Sequence, residues 1–402
     1  MRYDLFANPR AVASIPAEAE QGSSPIDYHR TVPGYQPTPL LDAPRIAQAL
    51  GVARVLVKDE STRLGLPSFK MLGASWATAF AVRREWLGGI EESLSPEQLR
   101  QRIPDAGAKR LVAATDGNHG RGVARMAKLM GVACNIFVPA GTAASRIADI
   151  EVEGAEVIVV DGSYDDAILR SAEEADDNTI VVSDTSWEGY SAIPREVGHG
   201  YSTMFREIDQ ALAANGATAP SVVAFQAGVG SFAAAGLVHY RSDAATTPPR
   251  TVIVEPLRAN CLLASARAGA ITEAPPPHDS TMAGLNCGLP SQLAWPIIDR
   301  TADVFVAIDD DAADVAMRAY AESGIVAGES GAASLGGLLA IVRSGHADAR
   351  AAAGLLPDAT VLLINTEWAT DPVNYEAVVG TSPQRVQGES DTRRQAAGVV
   401  QL

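Results

Sequence analysis

Short runs of consecutive apolar, mostly β-branched residues recur along the chain at 54–58, 109–115, 132–138, 155–161, 179–184, 221–227, 251–255, 303–308 and 360–365. Amphipathic stretches of helical length fall between them, at 43–50, 71–86, 121–130, 164–176, 194–214, 232–240, 312–323 and 332–342. This alternation predicts an α/β fold. The strand runs are continuous in polarity rather than alternating, so both faces of each strand must be covered, which is the condition of a parallel sheet flanked by helices. Nine strands fit two open, twisted α/β/α sheets better than one. The small, polar, proline-ended stretch 215–220 follows a long helix and is the clearest internal break, after which a second sheet is expected to resume. Segments 245–249 and 274–279 read as exposed proline-rich loops, and 381–397 as a mobile or partner-bound tail.

Composition narrows the function classes. With 402 residues, 47% of them hydrophobic and 20% charged, the chain can bury one large core or two medium ones. A formal charge of −16 opposes approach to nucleic acid or to anionic lipid. The N-terminal stretch mixes Arg2, Asp4, Asn8 and Arg10 among apolar residues, unlike a secretory signal, and no apolar run reaches membrane-spanning length, so the cytoplasm is the expected compartment. Cys134, Cys261 and Cys287 are too few for a disulfide framework and lack zinc-site spacing, which predicts buried thiols and no metal.

Five segments carry candidate chemistry. In Ser68-Phe69-Lys70-Met71-Leu72-Gly73, Lys70 opens a helix after the turn Leu64-Gly65-Leu66-Pro67, where a primary amine can meet a ligand aldehyde. The same hexapeptide is equally compatible with a solvated lysine. Ala114-Thr115-Asp116-Gly117-Asn118-His119-Gly120-Arg121-Gly122 joins a strand to a helix, and its glycines let backbone approach a flat ligand. Asn118 is placed to donate to such a ligand, whereas His119 reads as packing at the helix start. Asp184 ends a strand near Trp187 and Tyr190, a carboxylate and an aromatic wall suited to a second substrate ammonium. Its bland counterpart is an aspartate capping a turn beside two core aromatics. Gln226-Ala227-Gly228-Val229-Gly230-Ser231-Phe232 links a strand to an alanine-rich helix, and Gly228, Val229, Gly230 and Ser231 are the candidate phosphate cradle. A tight turn or a dinucleotide loop with Glu255 as its acid would look similar. Thr366, at the end of the last strand, is the candidate partner of a pyridine nitrogen, or simply a hydroxyl closing the strand.

Taken in order over roughly residues 28–371, these segments resemble the fold-type II, or tryptophan-synthase-like, pyridoxal-phosphate enzymes, and within them the diaminopropionate ammonia-lyases. The resemblance implies a larger cofactor domain of residues 1–70 and 217–402, a smaller α/β domain of residues 71–216, and the cofactor in the cleft between them. It also implies pyridoxal 5'-phosphate held by Lys70 as a Schiff base, with Phe69, Asn118, Gly228, Val229, Gly230, Ser231 and Thr366 as cofactor contacts. The implied reaction is α,β-elimination of D- and L-2,3-diaminopropionate to pyruvate and ammonia. Lys70, Asp116 and Asp184 would be its catalytic groups, and Asp116, Asp184, Trp187 and Tyr190 its substrate contacts. A serine or threonine dehydratase, or a β-replacement synthase, would share the lysine, turn and loop but differ at Asp116, Asp184 and Trp187. A cofactor-binding protein without turnover is the alternative from another class. The likeness further implies a homodimer, a border role for Glu329, and positions for Cys261 and Cys287 that can pair as a disulfide, a bond a reducing cytoplasm disfavours. Trp368 stands where these relatives usually carry glycine, a departure that bears on the shape of the last loop.

Overall fold

The computed structural model describes residues 1–16, 24–115, 117–242 and 247–389. It divides into two compact units, one formed by Met1–Glu18, Pro37–Thr62 and Met204–Leu402, the other by Ala19–Gln36 and Arg63–Thr203.

The first unit is built on a seven-stranded sheet in the order Tyr3–Ala7, Val304–Ile308, Arg250–Pro256, Val222–Gln226, Thr360–Asn365, Arg54–Asp59 and Leu40–Asp42. The five inner strands are parallel, and the two edge strands pair antiparallel. The inner strands are those of the continuous apolar runs, and their side chains are buried on both faces. Helix Glu329–Ser344 is buried along nearly its whole length. Its glycines let it lie close to its neighbours, since a Cβ on Gly337 would stand 2.7 Å from Val254 and one on Gly336 2.9 Å from the Ala312 carbonyl. A helix that is apolar all round belongs inside a layered core, and here it packs with Ile308, Ala312, Ala316 and Leu363.

The second unit carries a four-stranded, wholly parallel sheet in the order Glu156–Val160, Ala133–Pro139, Arg110–Ala114 and Thr179–Val181. Val112, Ala114, Phe137, Ala167, Ile168 and Val181 form a core on it. Helix Lys70–Glu85 packs against helix Ala192–Gly200 through glycine on both sides. A Cβ on Gly73 would meet the Tyr201 ring at 2.6 Å, and one on Gly200 the Leu72 carbonyl at 2.6 Å.

Several boundaries differ from the sequence expectation. The expected helix at 194–214 is two helices, Ala192–Gly200 and Ser202–Ala214, and the compact units part after Thr203, in the first turn of the second helix, rather than at 216. Lys70 starts the first long helix of the second unit instead of closing a segment of the first. The two antiparallel edge strands were not foreseen, because Tyr3–Ala7 is half exposed and Leu40–Asp42 is only three residues long. Residues 383–389 are helical and Val386 is buried in the core of the first unit, so the start of the expected tail is anchored. The remainder, 390–397, lies outside the described residues.

Candidate active site

Four lysines occur in the chain, Lys58, Lys70, Lys109 and Lys128. Their surroundings separate them. Lys58 is buried and donates to the Thr38 carbonyl at 2.7 Å and to Glu207 at 2.6 Å. Lys109 donates to Asp177 and Asn178 at the surface, and Lys128 is exposed. Lys70 is half-buried at the first position of helix Lys70–Glu85, and its Nζ donates to Asp184 Oδ2 at 2.9 Å. The positive end of a helix disfavours a cation, so an ammonium there needs a carboxylate beside it, which Asp184 supplies. The chain is turned into this helix by Leu64 and Gly65, at φ 53° and 73°. Phe69 is buried against Tyr201, their ring centroids 4.8 Å apart.

Asp184 is the hub of this cluster. It follows strand Thr179–Val181, at the carboxyl end where ligands of parallel sheets gather. Its Oδ2 accepts from Lys70, its Oδ1 accepts from Tyr164 at 3.3 Å, and His119 Nδ1 stands 4.0 Å from Oδ2. Burial alone would push this carboxyl up, but the Lys70 ammonium and the hydrogen bonds from Lys70 and Tyr164 outweigh it and hold the group well below the usual carboxylate range. Tyr190 stacks on Trp187 with centroids 4.0 Å apart, while its hydroxyl donates to the Val181 carbonyl at 2.7 Å and accepts from the Ser183 N–H at 3.0 Å. Tyr190 therefore holds the strand end on which Asp184 sits, with its ring face against tryptophan.

The turn after strand Arg110–Ala114 is shaped by Thr115, whose hydroxyl accepts the N–H groups of Gly117 and Gly120 at 2.9 and 3.2 Å. A Cβ on Gly120 would lie 2.4 Å from the Thr115 methyl, and one on Gly122 2.7 Å from Ala74, so the glycines seat this turn against its neighbours. Asn118 begins helix Asn118–Met130 and is half-buried, and His119 is buried with Nε2 2.8 Å from the Val182 carbonyl. Asp116 lies outside the described residues.

The first unit carries the other candidates. The loop of Gly228, Val229 and Gly230 leads from strand Val222–Gln226 to helix Ser231–Arg241, whose first N–H groups and dipole favour an anion. Gly230 has φ 99°, and a Cβ there would meet Ile298 at 2.5 Å. A Cβ on Gly228 would meet Cys287 Sγ at 2.8 Å. Thr366 is buried, and its hydroxyl accepts from Gln226 Nε2 at 2.8 Å. With one lone pair so engaged, its proton is free to point at another acceptor. Glu255 takes the N–H groups of Leu262 and Leu263, both at 2.8 Å, and so caps helix Cys261–Ala268 rather than a ribose. Neither Cys261 nor Cys287 is joined in a disulfide. Glu329 accepts from Asn374 and ties helix Pro372–Val379 to the start of its own helix. Gly328 packs against the Trp368 carbonyl, where a Cβ would come within 2.7 Å.

Tyr164 and Gln226 carry structural roles that the motifs alone did not assign, whereas His119 is buried at its helix start as read from the sequence. Tyr164 had a usable signal, because Ser163 and Asp166 form a capping box that fixes it at the first position of helix Tyr164–Ala172. Gln226 had none, since its amide serves residues more than a hundred positions away.

Each unit by itself carries groups that fit pyridoxal phosphate. The second has one half-buried primary amine, and the first has a glycine loop opening a helix for a phosphate and an oriented neutral hydroxyl for a ring nitrogen. Residues 32–367 match the family described as pyridoxal-phosphate dependent enzyme, and the chain belongs to that family. Diaminopropionate ammonia-lyase of Escherichia coli K12 is 38% identical over 361 residues, which cover 88% of this chain and 89% of that protein. The Salmonella typhimurium protein of the same name is 34% identical, covering 89% of this chain and 91% of its own. The crystal structure of the Escherichia coli enzyme in complex with D-serine superposes with a TM-score of 0.84 at 34% identity, covering 94% of this chain and 97% of that one. Within the family, the chain falls with these diaminopropionate ammonia-lyases.

Proposed function

We propose that this protein eliminates both amino groups of 2,3-diaminopropionate, in either enantiomer, to give pyruvate and ammonia, with pyridoxal 5'-phosphate on Lys70. The observation that carries the reading is Asp184, a buried carboxylate that already holds an ammonium group at 2.9 Å. When Lys70 is engaged by the cofactor, the same oxygen can take the β-ammonium of a diamino acid, a contact that a hydroxyl substrate uses far less.

Bound cofactor supplies an electron sink that acidifies the substrate α-carbon. Lys70 would serve as one base toward that carbon and Asp116, assigned by its place in the turn motif, as a second, which would account for both enantiomers. The Gly228–Ser231 segment binds the phosphate through backbone N–H groups. Thr366 would donate to the ring nitrogen, and a neutral hydroxyl there would leave that nitrogen unprotonated and favour elimination over transamination. Asn118 donates to the phenolic oxygen, and Phe69 packs beside Lys70. Asp184 holds the leaving amine in its protonated form, while Trp187 and Tyr190 bound that end of the site. The same family likeness supports a cytoplasmic homodimer, a state that sedimentation of the purified protein would measure. Among the described residues no helix is long and apolar enough to cross a membrane.

The test is product analysis with each diaminopropionate enantiomer and with serine. One pyruvate and two ammonia per diaminopropionate, with serine the poorer substrate, is the expected result. Preference for serine would replace this reading with a dehydratase.

A further inference from the structure

The hydrogen bonding of His119 fixes its tautomer. The Val182 carbonyl can only accept, so Nε2, at 2.8 Å, carries the ring proton. Nδ1 is buried without a hydrogen-bond partner, in a side chain only 1% exposed. No hydrogen-bond acceptor reaches Nδ1 while Lys70 holds Asp184, which leaves the lone pair of this nitrogen open to a proton. Among the described residues, the ionisable groups around His119 include Asp184 at the strand end, Lys70 at its helix start, and the phenols of Tyr164, Tyr190 and Tyr201. Burial pushes the Tyr190 and Tyr201 hydroxyls up, which leaves them protonated across the working range.

A lysine ammonium must lose a proton before its amine can attack an aldehyde. Asp184 Oδ2 touches that ammonium at 2.9 Å and stands 4.0 Å from the bare nitrogen of His119. We infer that His119 is the acceptor of this proton, through Asp184, and so prepares Lys70 to bind the cofactor. The Lys70 N–H bond breaks, the carboxylate takes the proton and passes it to His119 Nδ1, and a neutral amine, a carboxylate and an imidazolium remain. The summed charge of the three groups is unchanged, so the transfer adds no net charge to a buried site. Asp184 exchanges one cationic partner for another, and once Lys70 turns away the carboxylate draws the imidazolium across the remaining gap. His119 is thus a positioning residue that acts through Asp184. The inference rests on Lys70 as the cofactor lysine, but the protonation of His119 can be read apart from catalysis.

The experiment is nitrogen NMR of the full-length protein with labelled histidine, with and without bound pyridoxal phosphate. The chain has six histidines, and the His119 signals are identified by their loss in His119→Gln. A bare Nδ1 in the cofactor-free protein and a protonated Nδ1 in the loaded one is the expected pair of spectra. The Lys70→Ala variant should show the protonated ring without any cofactor, and Lys70→Ala with Asp184→Asn should return it to neutral. A bare Nδ1 in the loaded protein, or in Lys70→Ala with Asp184 intact, overturns the proposal. Failure of the Lys70 assignment itself would show separately, as a visible cofactor band that survives in Lys70→Ala.

Discussion

Replacing Asp184 by asparagine keeps the shape of the side chain and removes its charge. At 2.9 Å from an ammonium nitrogen, with an effective dielectric near 20, the Coulomb attraction is about 6 kcal/mol before desolvation is subtracted. Desolvation and the surviving neutral hydrogen bond reduce this to the net worth of a charge-assisted hydrogen bond, about 1.5–3 kcal/mol. If the substrate β-ammonium takes the place now held by Lys70, Asp184→Asn should lower kcat/KM for diaminopropionate by about 10- to 150-fold. Serine carries a hydroxyl at the same carbon and loses no charge pairing, so, on protein already loaded with cofactor, its kcat/KM should fall about tenfold less than that of diaminopropionate, or less still. The assay is pyruvate release from both substrates by wild type and variant, compared as a ratio so that any general damage cancels. Equal losses for the two substrates would refute the ammonium contact and leave Asp184 as a partner of Lys70 alone.

Two further substitutions probe the first unit. Gly228→Ala places a methyl group 2.8 Å from Cys287 Sγ, so the loop must shift, and a fluorescence titration should show weaker binding of pyridoxal phosphate with little change in circular dichroism. Unchanged affinity would remove this loop from phosphate binding. Burial pushes Glu255 up to about 8, against the pull of the Leu262 and Leu263 N–H groups. Between the ordinary glutamate value of 4.5 and about 8 the unfolded chain has released this proton and the folded chain retains it, so stability falls as pH rises through that window. Urea midpoints of wild type should therefore decline relative to Glu255→Gln across it, and parallel profiles would place the Glu255 proton elsewhere.

The physics of strand burial explains what could be read in advance. All nine apolar runs are strands of the structure; the inner ones are apolar because both faces are covered, whereas Glu156–Val160 is apolar although part exposed at the edge of its sheet. The edge strands Tyr3–Ala7 and Leu40–Asp42 lack that signature, since an edge has one solvated side or too few residues to show a pattern. At the candidate site, the motifs located Lys70, Asn118, Asp184 and the Gly228 loop by local sequence. What they could not convey was pairing over distance, such as Lys70 with Asp184 across 114 positions or Gln226 with Thr366 across 140. His119 illustrates the limit well. Burial at a helix start was legible, but the bare nitrogen facing Asp184 depends on where the Val182 carbonyl falls.

The most direct test of the central claim is to reduce the cofactor-loaded protein with borohydride and map the modified peptide by mass spectrometry. With four lysines in the chain, a pyridoxyl group found on Lys70, and absent from Lys70→Ala, is the predicted result. A pyridoxyl group on Lys58, Lys109 or Lys128 would contradict it.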